Sequence, residues 1–348
     1  MMKTVNVFEC RPGYILAEDL YLNNCLVLPQ ETVLTEVLIK KLANAGVPSL
    51  KVYLPSAAAQ ETPSSTTRTL PDFQQEYEDN ANVLKDVLSD LAAGRKLEIN
   101  RVSGVFDAVY TQIQHNYTLM DCINSMRSAD VYTYTHSLNV ALYAGLIGKW
   151  LRLSEQELQD IIQVGVLHDM GKAKTPQEIL NKKGKLTPEE FEVMKKHSTL
   201  GFWIVKEVPG LKQDICNAVL THHERIDGHG YPFGLKGKDI PFYAKIVAVA
   251  DVYDALTSER VYKKRITPFD TFIEFQELGY DHFDPQILFV FLQNIANYYT
   301  GAKVRMNTGE VGEITSILPY NISKPIVRIN DKVIDLAMEP DYHIEEML

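Results

Sequence analysis

The sequence predicts a mainly α protein: a helical bundle with a small α+β domain ahead of it and a short β appendage behind it. Three observations predict this. The middle of the chain carries apolar residues at three- and four-residue spacing behind repeated helix-start signals. The first 55 residues alternate short apolar runs with turn residues. The last 48 residues change to two-residue alternation around Asn307-Thr308-Gly309 and Asn330-Asp331.

In chain order, Thr4–Cys10 and Tyr14–Tyr21 read as strands, and Asn23-Asn24 as a turn before a third, Cys25–Leu28. Thr35 is placed to cap a helix through Lys41, Gly46 ends it, and Ser49–Leu54 reads as another strand. Residues 1–55 therefore form the predicted N-terminal domain. Residues 56–71, SAAAQETPSSTTRTLP, are small, polar and proline-punctuated, which is linker chemistry. Residues 72–127 read as connecting helices, with Val83, Leu84, Val87, Leu88 and Leu91 forming an apolar stripe. Such a stripe packs within the molecule or pairs two copies of it.

Residues 128–300 read as an all-α domain. Ser154-Glu155-Gln156-Glu157 is a capping box, followed by Leu158, Ile161, Ile162 and Leu167 on one face. Thr187-Pro188-Glu189-Glu190 repeats the device with proline at the first helical position. Residues 301–348 complete the chain as β-hairpins, with runs such as Ile326-Val327-Arg328-Ile329 and Val333-Ile334-Asp335-Leu336.

Composition narrows the function classes. With 348 residues, 45% hydrophobic and 23% charged, the chain is long enough for two or three folded units. No apolar run approaches the roughly 20 residues that span a bilayer, and the start lacks an apolar leader core. Cys10, Cys25, Cys122 and Cys216 are scattered, as in a reducing compartment, so a cytoplasmic protein without membrane attachment is expected. A net charge of −10 argues against DNA binding. A small anionic ligand stays admissible, provided cations are concentrated locally.

Six of the nine histidines lie between positions 136 and 229, mostly beside predicted helix ends and carboxylates. Singly, each reads as a cap or a satisfied core residue. Together, His136, the His168-Asp169 pair, His197, the His222-His223 pair and Asp251, set in apolar helices, are costly to bury unless paired or metal-bound. Imidazole and carboxylate ligands suit Fe, Mn or Zn, and there are more of them than one catalytic ion needs. Two ions roughly 3.5–4 Å apart clamp both oxygens of a phosphoryl displacement.

The motifs carry a resemblance. His168-Asp169-Met170-Gly171-Lys172 resembles the HD-x-GK signature of HD-superfamily phosphohydrolases. His222-His223-Glu224-Arg225 with Asp227-Gly228-His229-Gly230-Tyr231-Pro232 resembles the HHE…DGxGYP signature of the HD-GYP branch, and Asp251 to Arg260 resembles its closing helix. The resemblance covers about residues 127–299 and implies a helical HD-domain bundle that hydrolyses cyclic di-GMP to pGpG, with onward cleavage to GMP left open. It places metal ligands on His136, His168, Asp169, His197, His222, His223 and Asp251. Asp169 is the natural bridge, since a carboxylate has two oxygens. Two divalent ions, Fe or Mn with Zn as a substitute, activate a bridging hydroxide in this scheme.

The same resemblance gives substrate contacts to Lys172, Tyr231, Asp254, Arg260 and Lys263, with Asp169 and Lys172 as the catalytic pair. Some members of the family hold a third metal with a glutamate four residues before the first histidine. Here Tyr132 stands there, which favours two ions. The expected ligand is cyclic di-GMP. A homodimer through residues 72–127, and protein partners through the GYP loop and the N-terminal domain, stay open. So do two other readings, a non-catalytic receptor for the dinucleotide and a preference for cyclic GMP-AMP.

Overall fold

The computed structural model describes the chain apart from residues 1, 12, 23–24, 29, 31, 33, 35–38, 40–41, 44–45, 54–69, 116–131, 183, 258–266 and 319–320. It divides into two compact units. One comprises Met1–Thr67, Thr267–Phe272 and Leu292–Leu348; the other comprises Arg68–Ile266 and Ile273–Phe291.

In the first unit, β1 (Met2–Asn6) and β2 (Ile15–Leu16) flank β5 (Ser49–Tyr53) in an antiparallel sheet, while β3 (Leu20–Leu22) and β4 (Cys25–Leu28) form a separate hairpin. Alternation decides the inner face, because Leu50 and Val52 of β5 are buried and their neighbours exposed. Two predicted strands are shorter than expected. Thr4–Cys10 stops at Asn6, whose side chain accepts the Phe8 N–H and caps a 3-10 turn over Val7–Glu9. Tyr14–Tyr21 is broken between β2 and β3, where the Asp19 carboxylate accepts the Gln30 N–H at 2.7 Å. The helix expected over Thr35–Lys41 lies outside the described residues, apart from Ile39.

The same unit holds a five-stranded antiparallel sheet in the order β10-β6-β7-β8-β9, built from β6 (Lys303–Met306), β7 (Val311–Ser316), β8 (Ile326–Ile329), β9 (Lys332–Asp335) and β10 (Ile344–Met347). Its hairpin turns fall at Asn307-Thr308-Gly309 and Asn330-Asp331, where the sequence placed them. Val304, Met306, Ile314, Val327 and Ile329 form its buried face.

The second unit is helical. α1 (Leu70–Ala92) and α2 (Ile99–His115) are joined by a turn in which the Arg95 N–H returns to the Asp90 carbonyl. α3 (Tyr132–Trp150) is buried on all sides from Ser137 to Ile147, which explains why its sequence is apolar all round. Around it stand α4 (Glu155–Leu167), the short α5 (Gln177–Leu180), α6 (Pro188–Lys206), α7 (Gln213–Thr221) and α8 (Phe242–Thr257). Both predicted capping boxes are present, at Ser154 and Thr187. α9 (Pro268–His282) and α10 (Pro285–Tyr298) follow. Tyr143 of α3 meets Tyr253 of α8 edge to face at 5.0 Å, and Tyr253 meets Phe291 at the same separation. Those rings lock the register of α8 against α3. Among the described residues no helix is long and apolar enough to cross a membrane.

Candidate metal centre

Five segments of the helical unit deliver imidazoles and carboxylates to one place. His136 sits in the first turns of α3, and His168-Asp169 follows the last turn of α4. His197 lies midway along α6, His222-His223 follow α7, and Asp251 comes from α8. Gly171, just past Asp169, lets this convergence happen. A Cβ there would lie 1.9 Å from the His197 carbonyl oxygen and 2.5 Å from the Gly201 nitrogen, so only glycine lets the 3-10 turn Met170–Lys174 press its backbone onto α6.

The imidazoles are oriented from behind. His168, His197 and His222 each have Nδ1 within 2.7–2.8 Å of the carbonyl three residues earlier, those of Gly165, Met194 and Val219. A carbonyl only accepts, so each Nδ1 carries the proton and each Nε2 presents a lone pair. These lone pairs converge. His197 Nε2 lies 3.3 Å from His222 Nε2 and 3.1 Å from His223 Nε2. Asp169 stands among them, with Oδ2 3.3 Å from His168 Nε2 and 3.5 Å from His136 Nε2, and Oδ1 3.5 Å from His197 Nε2. His136 Nε2 is 3.1 Å from Asp251 Oδ1, and His223 Nδ1 is 3.8 Å from Asp251 Oδ2.

The residues fit a metal ion on a direct observation: among the described residues, His168 Nε2 and Asp169 Oδ1 are buried with no hydrogen-bond partner. Buried acceptors without donors are costly, and two facing imidazole lone pairs repel. A cation between them removes both penalties. Among the described residues, three sets have ligand atoms all within 4.8 Å of one another: His197, His222 and His223; His136, His168 and Asp251; His168, Asp169 and His222.

Electrostatics favours the ligating forms. Burial holds the His222 imidazole well below its ordinary pKa, and its histidine neighbours push the same way. Burial also lowers His197, and it takes His223 down to about 3 against the pull of Asp251. Burial alone would raise Asp169 and Asp251. Lys172 and His168 outweigh it at the first, and His136 does so at the second, so both stay ionised. His136 behaves oppositely: burial disfavours its charge, but bonds to Asp251 and Asp254 raise it to about 10.

One expectation is corrected. Asp254, expected to touch substrate, is fully buried, with Oδ2 2.8 Å from His136 Nδ1 and Oδ1 accepting from Asn139 Nδ2 at 2.9 Å. It faces the back of a candidate ligand. Lys172 reaches Asp169 Oδ2 at 2.5 Å while staying partly exposed. Arg260 and Lys263 lie outside the described residues. Tyr132 begins α3.

The loop after His223 closes one side. Gly230 sits where a Cβ would come within 2.6 Å of Arg225 N, Glu224 Cα and His223 O, so a side chain is excluded. The ring of Tyr231 thereby comes 4.7 Å from that of His223, and burial raises its phenol so that it keeps its proton. Lys195 lies over the rings of Phe191 and Tyr231, 5.3 and 5.9 Å from their centroids. Sequence reasoning gave Glu224 no role. Its buried carboxylate accepts the N–H groups of Phe233 at 2.7 Å and Leu235 at 2.8 Å, holding the loop. Asn139 was missed too, although an amide three residues beyond His136 in an otherwise apolar helix was a legible signal.

A family model described as an HD domain matches residues 118–287. A cyclic di-GMP phosphodiesterase of Pseudomonas aeruginosa is 33% identical over 243 residues, covering 69% of this chain and 58% of its own length. The 3'3'-cGAMP-specific phosphodiesterase 1 of Vibrio cholerae is 34% identical over 177 residues, covering 51% of this chain and 41% of its own. The chain spans about half the length of these curated relatives. The solved structure of an HDG"Y"P protein from Bdellovibrio bacteriovorus aligns with a TM-score of 0.53 at 16% identity, over 85% of this chain and 99% of the other, a likeness of fold.

Proposed function

We propose that this chain, which belongs to the HD-domain family and carries the motifs of its HD-GYP branch, is a metal-dependent phosphodiesterase that opens cyclic di-GMP to pGpG, with onward cleavage to GMP left to the product analysis below. The observation that carries the reading is the set of facing Nε2 lone pairs around an unpartnered, buried Asp169 oxygen. His136, His168, Asp169, His197, His222, His223 and Asp251 would hold two divalent ions, Fe or Mn, with Zn a substitute during aerobic handling. When bound, such ions supply Lewis acidity to a water molecule and to the phosphodiester.

The chain's own residues do the rest. Asp169, ionised, sets one oxygen toward His168 and the other toward His197 and so ties the ligand sets around those two imidazoles together. Lys172, partly exposed beside it, is placed to donate to a non-bridging phosphate oxygen. Tyr231 keeps its proton and its ring beside His223, so it offers a donor and a stacking face to the dinucleotide. Arg260 and Lys263 complete the cationic patch in this reading. The domains before and after the helical unit serve as regulatory or interaction modules.

The test is product chromatography on protein purified without oxygen and supplied with Fe(II) or Mn(II), with cyclic di-GMP and cyclic GMP-AMP offered in parallel. Formation of pGpG or GMP that stops on chelation is the expected result. Faster turnover of the mixed dinucleotide would overturn the substrate, and no turnover of either by protein loaded with two metals would point to a receptor.

A further inference from the structure

We infer that Tyr77 and Asn139 are positioning residues for His136, acting through Asp254, so that α1 takes part in shaping the metal centre. The inference rests on the metal reading above.

The geometry is a chain of directed hydrogen bonds across three helices. The Tyr77 hydroxyl, on α1, donates to Asn139 Oδ1 at 2.6 Å. Asn139 Nδ2, on α3, donates to Asp254 Oδ1 at 2.9 Å, and Asp254 Oδ2, on α8, lies 2.8 Å from His136 Nδ1. All four side chains are buried. An ionised carboxylate only accepts, so the amide must turn its NH2 toward Asp254 and its carbonyl toward Tyr77. Tyr77 supplies the donor that this orientation needs. The opposite orientation would set the amide oxygen against the carboxylate. In the neutral, ligating form of His136 the sense of the chain then keeps the ring proton on Nδ1, where Asp254 accepts it, and leaves Nε2 to the centre.

His136 needs this help for a local reason. His168, His197 and His222 are oriented by carbonyls of their own helices three residues back. His136, close to the start of α3, takes its orienting acceptor from α8, and that acceptor is held by Asn139 of α3 and through it by Tyr77 of α1. A second contact ties α1 to the centre: Lys174, ending the turn that carries Lys172, donates to the Leu91 carbonyl in the last turn of α1.

The test is Mn(II) titration of the full chain, with free Mn(II) followed by electron paramagnetic resonance, comparing wild type with Tyr77→Phe, which keeps the ring and removes only the donor. Loss of a group that hydrogen-bonds a metal-ligating side chain from behind weakens metal binding about 10- to 100-fold. One bond further out, we expect about 5- to 10-fold weaker binding of one ion, with the other within about twofold of wild type. Asn139→Ala should weaken the same ion further, and adding Tyr77→Phe to it should change nothing more, as members of one network behave. Two unchanged affinities in Tyr77→Phe would overturn the inference, and so would equal weakening of both ions, which marks a merely structural role. A wild-type protein that takes up no Mn(II) would instead overturn the metal reading, and this inference with it.

Discussion

His197 and His222 face each other through Nε2 atoms 3.3 Å apart, each with Nδ1 already committed to a helix carbonyl. Neither nitrogen of the pair can donate to the other in that arrangement. A cation between the rings relieves the repulsion of the two lone pairs. Divalent metal should therefore stabilise the fold itself. A metal present at about 100 times its dissociation constant adds about 2.7 kcal/mol. Thermal unfolding with Mn(II) against a chelator should separate by several degrees, and overlapping melting curves would sink the assignment.

Asp169 is the carboxylate whose two oxygens face different imidazoles. Asp169→Ala and His168→Ala should each cut turnover by about 10²- to 10³-fold, the scale lost when a catalytic electrostatic group is removed. Metal content measured on the same samples should fall to one ion or none. A variant with full metal and full turnover would refute both roles.

Glu224 accepts two backbone N–H groups of the loop that carries Tyr231. Glu224→Gln keeps the shape but has one accepting oxygen where two are used, so one N–H turns unpaired, at about 1–3 kcal/mol. The loop should loosen and the centre should not. We expect KM for the dinucleotide to rise about tenfold or more with metal content unchanged. Loss of metal would show instead that Glu224 supports the centre.

Lys149 reports on folding independently of the site. Its ammonium donates to the Ile113 carbonyl at 2.7 Å, and burial depresses its pKa to about 8 from an ordinary 10.5. Below about 8 the lysine is charged in both folded and unfolded states, and the folded protein bears the cost of burying the charge. Between about 8 and 10.5 the unfolded chain binds more protons, so stability rises with pH. Lys149→Met should remove that rise and stabilise the protein near pH 7, by on the order of 2 kcal/mol after the lost hydrogen bond is subtracted. Equal pH slopes in urea unfolding of the two proteins would contradict this.

Much of the fold was legible because its signals are local. Capping boxes at Ser154 and Thr187, and turn residues at Asn307-Thr308-Gly309 and Asn330-Asp331, act within a few residues of themselves. Strand lengths near the start were misjudged because Asn6 and Asp19 spend their side chains on the backbone N–H groups of Phe8 and Gln30, which competes with the ladder and which apolar alternation does not register.

By itself the sequence determined the helical class of the central region, its caps and hairpin turns, and a set of imidazoles and carboxylates too costly to bury apart. Only the tertiary structure decided which face of each ligand meets its neighbours. It turned Asp254 from an expected substrate contact into the support of His136, brought Tyr77 from a distant helix to the same network, and gave Glu224 a loop to hold. The physical reason is range. Helix and turn propensities act over a few residues. A buried hydrogen bond between residues 136 and 254 depends on how whole helices pack, which the ring contacts Tyr143–Tyr253 and Tyr253–Phe291 set.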